Sequence, residues 1–251
     1  MKSEVPANST SRPEYTALPA QEAPIRAMAL PIQRLLQLCI ILALPPFFVL
    51  LSVRLVTNTI FLQLEYNRPN FPEDLYGFST EDRLKYGSYG VNYLLNDEDI
   101  DYLANLEING QPAFNQRELK HMEDVKVVTQ RAFQVLWIVG AFCLGSSVLL
   151  VRSRTTHKAL ASAWRLGGIL TLLLIGIGLV AVVVSWNFFF DTFHEVFFAD
   201  GTWQFHRSDT LIRLYPEQFW FDAAITIGIL TISGALLAII IPTLWERRQY
   251  G

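Results

Sequence analysis

The sequence predicts an all-α membrane protein, a bundle of four transmembrane helices with a small extracytoplasmic cap of α-helix and a β-hairpin. Three observations carry this prediction. Of 251 residues, 51% are hydrophobic and only 17% charged, against roughly 25% charged in an average soluble chain. Mean hydropathy is +0.28. The apolar residues gather in four uncharged runs, each near the ~20 residues that cross ~30 Å of hydrocarbon at 1.5 Å per residue. The 20 Lys and Arg against 23 Asp and Glu leave a net charge of −3, which excludes a nucleic-acid binder working through bulk positive charge.

Residues 1–33, rich in Pro, Ala, Ser and Glu with no apolar period, read as a disordered cytoplasmic tail. Residues 34–251 form the membrane domain. Its first span, about 35–57, begins too late and runs too long for a signal peptide, and no small-residue cleavage site follows Val53. The Pro45-Pro46 pair should kink it, a cost that membrane helices tolerate where neighbours satisfy the freed carbonyls. The other spans fall at about 132–151, 166–190 and 223–245. Cys39 and Cys143 lie inside spans, so the loops hold no disulfide framework. Gly168, Gly176, Gly178, Gly228 and Gly234 read as close helix packing, not as phosphate loops.

Positive charge in short loops marks the cytoplasmic side. The 152–165 connection holds Arg152, Arg154, Lys158 and Arg165 without an acid, whereas 58–131 carries 13 acids against 7 bases and 186–219 carries 5 against 2. Both acidic loops therefore lie outside and both termini inside. In the cap, 58–131, Ser79 to Asp82 opens a helix whose apolar face includes Leu84, Val91 and Leu95. Asn96 to Asp101 breaks it, and Asn109-Gly110 marks a two-residue hairpin turn. A further helix starts at Asn115 or Gln116 and runs through His121 into the second span. The second outer loop covers 191–219.

His157 sits in the basic loop and reads as a solvated surface group. His121 precedes the second span by about ten residues and His194 follows the third, so both lie near the outer membrane face. Two imidazoles at one depth can serve as acid and base near neutral pH. Position alone more readily fits an interfacial aromatic belt that includes Trp186, Trp203, Phe205, Tyr215 and Trp220. His121 and His194 with Asp124, Asp191 or Glu195 make a conceivable zinc set, but no HxxxH or HExxH spacing supports it. Neither Ser185 nor Ser208 lies in a nucleophile elbow. Arg54, at the outer end of the first span, either snorkels to the interface or meets a headgroup or oxyanion. Arg213 either does the same from the other loop or pairs with Asp209 or Glu217.

The blocks Glu118-Leu119-Lys120-His121-Met122-Glu123-Asp124-Val125-Lys126, Phe193-His194-Glu195-Val196-Phe197-Phe198, and Trp203-Gln204-Phe205 to Trp220, in a four-span chain with a large first outer loop, resemble the bacterial lipoprotein intramolecular transacylase (Lit) family. The similarity runs from about Arg34 to Arg247, and the long N-terminal tail departs from the compact members. The resemblance implies transfer of the sn-2 acyl chain of a lipoprotein's diacylglyceryl cysteine to the α-amino group of that cysteine, with His121 and His194 as the site residues. It implies a bacterial cytoplasmic membrane, a lipoprotein substrate in the bilayer, and neither cofactor nor metal. Arg54 and Arg213 are candidate oxyanion or headgroup donors on physical grounds alone. The competing reading is a non-catalytic accessory subunit that binds a membrane-complex partner through its acidic cap. A transporter is disfavoured, since the spans hold neither mid-membrane charge nor a repeated half.

Overall fold

The computed structural model describes residues 28–153 and 155–250, the side chains of 249 and 250 excepted; the reading of the tail as disordered falls mainly on residues 1–27, outside this range. The chain is almost entirely helical. Helices α1 (Leu30–Val56), α5 (Gln116–Val151), α6 (His157–Val184) and α9 (Glu217–Tyr250) contain the four segments long and apolar enough to cross a membrane. In the bundle, α1 and α6 lie against each other and both touch α5 and α9. The contacts are close because small residues face neighbours: a Cβ on Gly168 would fall 2.7 Å from the Ala235 carbonyl oxygen of α9. Gly176 and Gly178 face open space instead, which corrects their reading as packing glycines. In the core of the bundle Thr231 of α9 donates to Ser52 Oγ of α1 at 3.0 Å, and Ser52 donates to its own helix at Phe48 O.

The cap combines α2 (Thr59–Tyr66), α3 (Thr80–Leu95), the short α4 (Asp101–Ala104), strands β1 (Glu107–Ile108) and β2 (Gln111–Pro112), and α8 (Thr210–Leu214). Local chemistry sets its boundaries. Ser79 and Asp82 form a reciprocal capping box at α3, and Asn115 with Glu118 does the same for α5. The hairpin turns through Asn109 at φ 54° and Gly110 at φ 74°, the left-handed pair that a two-residue turn requires. The cap core includes Leu62, Tyr66, Leu103, Phe114 and Met122 from the first loop and Leu211, Leu214, Tyr215 and Phe219 from the second. The cap is thus built by both loops: Tyr66 Oη donates to Leu214 O and Tyr215 Oη to Gly87 O, each at 2.6 Å.

Two boundaries differ from the sequence reading. Helix α1 starts at Leu30, ahead of the expected membrane-domain start. The third span stops at Val184, where Ser185 (φ −153°, ψ 86°) separates α6 from α7 (Trp186–Phe197). The β-branched run Val182-Val183-Val184 and the following Ser are poor helix formers, so this is where the helix breaks. Residues 186–190, expected inside the span, belong to α7. None of α7's residues is fully buried, and Phe188 and Val196 are among its exposed apolar side chains.

Candidate functional site

Two helices deliver the histidines. Helix α5 starts at the Asn115–Glu118 box, which puts His121 in its second turn, well before the apolar part that begins near Ala132. Helix α7 carries His194 in its last turn. The chain between α7 and α8 folds back over both and is fastened to α5. Arg117 donates from Nη2 to Gln204 O at 2.7 Å and to Gly201 O at 3.3 Å. Glu118 is fully buried; its Oε2 accepts from Asn115 N at 2.8 Å and its Oε1 from Leu211 N at 2.7 Å. One carboxylate therefore holds the start of α5 and the start of α8 together.

His121 and His194 lie with ring centroids 6.4 Å apart and planes 24° from parallel. Aromatic rings enclose them. Phe198 and Phe205 meet His121 edge-on at 5.0 and 5.3 Å, Phe190 lies 4.1 Å from His194, and Trp203 stacks on His194 at 4.7 Å. Burial in this apolar surround disfavours the imidazolium. It pushes His121 down to about 4, aided by the charge that His194 would carry and opposed by Asp124. His194 is lowered for the same reason, opposed by its bond to Phe190 O and by Asp191. Burial thus favours the neutral form of both rings. His194 Nδ1 contacts Phe190 O at 2.7 Å. A carbonyl oxygen only accepts, so Nδ1 carries the hydrogen and Nε2 keeps a lone pair. His121 Nδ1 and Trp203 Nε1 are buried with no hydrogen-bond partner.

The remaining candidates lie elsewhere. Arg54 packs its guanidinium over Phe133, 5.5 Å from the centroid and twelve residues beyond His121 on α5, with Nη1 3.5 Å from Thr57 O. Arg213 is held in the cap. It donates to Asp74 Oδ2 from Nε at 3.1 Å and Nη2 at 2.9 Å, donates to Tyr76 O at 3.2 Å, and lies 3.5 Å from the centroid of Phe78. Its acid is Asp74, neither Asp209 nor Glu217. His157 is not simply solvated: its Nε2 lies 2.7 Å from Val151 O, its ring lies against Trp245, and its Nδ1 is buried, because the start of α6 meets the end of α9. Asp124 pairs with Lys120 at 3.2 Å, and among the described residues no group of three or more His, Cys, Asp and Glu side chains is placed to hold a metal ion. Trp203 and Phe205, read as interfacial belt, are walls of the histidine box. Their place in the Trp203-Gln204-Phe205 block was the one available signal.

Four membrane-crossing helices and a cap built by two loops define an integral, multi-pass membrane protein whose cap end holds two aromatic-walled histidines from separate loops. The chain belongs to the lipoprotein intramolecular transacylase (Lit) family: residues 38–220 match the model of the family described as lipoprotein intramolecular transacylase Lit. A protein of Aquifex aeolicus, described as uncharacterized, is 32% identical over 226 residues, covering 87% of this chain and 98% of that one. The fold is shared with the membrane-integral lipoprotein intramolecular transacylase Lit of Bacillus cereus, at 18% identity with a TM-score of 0.68 over 88% of this chain and 99% of that one. A second structure of that protein, with one histidine replaced by arginine, gives 0.69 over 87% and 93%.

Proposed function

We propose that the protein moves the sn-2 acyl chain of a lipoprotein's diacylglyceryl cysteine onto the α-amino group of the same cysteine, with His121 and His194 handling the proton. The observation that carries this reading is the histidine pair itself: two imidazoles 6.4 Å apart, brought from separate loops into one aromatic box. Family membership supplies the reaction class, and the same reading places the cap outside a bacterial cytoplasmic membrane with both termini inside. The lipoprotein's acyl chains stay in the bilayer while its ester and amine reach the box. Amine and ester belong to one molecule, so binding makes the attack effectively intramolecular.

The chemistry balances within the substrate. The amine nitrogen attacks the ester carbonyl carbon, the N–C bond forms, the C–O bond to glycerol breaks, and the amine proton ends on the glycerol oxygen. His194 Nε2, with its free lone pair, accepts that proton. Two imidazolium charges this close repel each other, so the pair carries at most one proton and passes it on. The resting state is neutral, so the proton delivered to glycerol is the one just removed from the amine.

The test is mass spectrometry of N-terminal lipopeptides from cells with the gene, without it, and with His121→Ala or His194→Ala. The lyso form should appear only with the intact gene, and each variant should reach the membrane but make none. Normal product from both variants would overturn the reading.

A further inference from the structure

Among the described residues three buried side-chain nitrogens lack a hydrogen-bond partner, and two of them, His121 Nδ1 and Trp203 Nε1, lie in the same box. An unpaired buried donor costs about 1–3 kcal/mol and is uncommon in folded proteins. For the indole the cost is imposed by construction. Trp203 is 8% exposed and stacked on His194, and it meets Phe190 edge-on at 6.3 Å. The loop that carries it is fastened on both sides of the residue by Arg117, to Gly201 O and Gln204 O. The ring therefore keeps its place although its one polar atom is unanswered. An indole N–H only donates, so what completes it must bring an acceptor oxygen into the box.

Resting on the acyl-transfer reading, we infer that Trp203 Nε1–H is the donor that binds the carbonyl oxygen of the ester under attack. As the amine nitrogen adds to the carbonyl carbon, the C=O electron pair moves onto that oxygen, and the indole hydrogen bond strengthens with the developing charge. When the intermediate collapses, the pair returns, the glycerol oxygen departs, and it takes the proton held by the histidine pair. A fixed donor in a water-poor site needs no reorganisation at that moment and acts on the chemical step more than on binding. Trp203 is thereby a catalytic residue, with its ring stacked 4.7 Å from the imidazole that takes the amine proton.

The experiment compares the reconstituted wild type with a full-length chain carrying 3-benzothienylalanine at position 203, which keeps the bicyclic shape and replaces N–H by sulfur, and with Trp203→Phe in case the analogue fails to incorporate. The readout is lyso-form product from a synthetic diacylated lipopeptide in vesicles, with kcat and KM separated and thermal unfolding measured alongside. The expected result is a kcat roughly a hundredfold to a thousandfold lower, with KM near wild type and the unfolding temperature unchanged or higher. A variant with wild-type kcat overturns the inference and leaves the acyl-transfer reading standing. A variant that loses kcat only in proportion to its lost folded fraction also overturns it, since packing then accounts for the residue. If the wild type makes no product, the acyl-transfer reading fails and the inference falls with it.

Discussion

Arg213 and Trp203 stand ten residues apart in one loop, both largely withdrawn from solvent, and the fold treats their polar atoms in opposite ways. Around Arg213 the donors are answered: Asp74 and the Tyr76 carbonyl accept from it, and Phe78 covers its plane. Next to it Arg83, also buried, donates to Arg213 O at 3.0 Å and to Pro72 O. Around Trp203 and His121 the walls are aromatic, and a donor and a ring nitrogen are left without partners. A polar network closed within the chain holds the fold, whereas a buried donor left unpaired among aromatic walls calls for an acceptor that the chain does not supply. The sequence offers Arg54 and Arg213 alike as oxyanion or headgroup donors; in the fold Arg213 is engaged by Asp74 and the Tyr76 carbonyl.

The largest effect that would break this contrast is on the closed side. The buried Asp74 side chain pairs with Arg213 at 2.9 Å, and hydrogen bonds from Arg213 and the Phe78 and Tyr76 backbone hold its carboxyl below the usual range although burial alone would raise it. Removing one partner of a buried pair costs about 3–5 kcal/mol. Asp74→Ala should therefore lower the unfolding temperature sharply while product per folded molecule stays near wild type. A stable Asp74→Ala protein that makes no product would reverse the two regions' roles.

Glu118 joins the regions, so its loss should show in both. Glu118→Ala takes the acceptor from the Asn115 amide at the exposed start of α5 and from the buried Leu211 amide, the latter at about 1–3 kcal/mol, and frees α8 from α5 close to His121. Both unfolding temperature and kcat should fall. Glu118→Gln, which keeps an acceptor oxygen, should recover part of each. If Glu118→Ala lowers stability alone, the cap does not set the geometry of the box.

Local features were legible in the sequence and tertiary ones were not. The spans follow from hydropathy over twenty residues, the starts of α3 and α5 from Ser79–Asp82 and Asn115–Glu118, and the hairpin from Asn109-Gly110, because each signal lies within the element it specifies. That His121 and His194 share a depth was readable from their distance to the spans. Their mutual approach depends on Arg117 and Glu118 capturing a loop more than eighty residues away. The Arg213–Asp74 pair spans 139 residues, and no local pattern announces it. Trp203 reads from sequence as part of the belt because sequence records that a ring is aromatic, not which rings surround it.

Titration separates two buried clusters at the cap end by sign. His121 refuses a proton in the fold down to about 4 but accepts one near 6.5 when unfolded, so its contribution is complete above pH 6.5 and is lost as pH falls towards 4, by roughly 3 kcal/mol at most. Glu65 behaves oppositely. Burial and the neighbouring Asp222 raise it to about 7 against the pull of Arg68, which contacts both carboxylates at 2.7 Å. Its contribution is complete below about 4.5 and is lost as pH rises through 7. Unfolding temperatures followed from pH 4 to 8 should peak between these limits, with His121→Phe flattening the acid limb and Glu65→Gln the neutral one. An acid limb unchanged in His121→Phe would mean that the imidazole is not desolvated as its aromatic walls require.

The smallest effect is a control for the largest claim. Gly110 turns the hairpin at φ 74° and faces open space, so Gly110→Ala meets no side chain and carries only the backbone cost of a left-handed residue, about 1–2 kcal/mol. The hairpin packs Ile108 against the cap core and accepts at Glu107 O from Tyr86 Oη at 3.4 Å. A small fall in unfolding temperature with full product shows that a modest loss of stability does not by itself silence the site. The loss expected on removing the indole N–H at position 203 would then belong to the donor. If Gly110→Ala loses product as steeply as Trp203→Phe, the box depends on the stability of the whole cap, and the distinction between closed and open polar networks no longer explains activity.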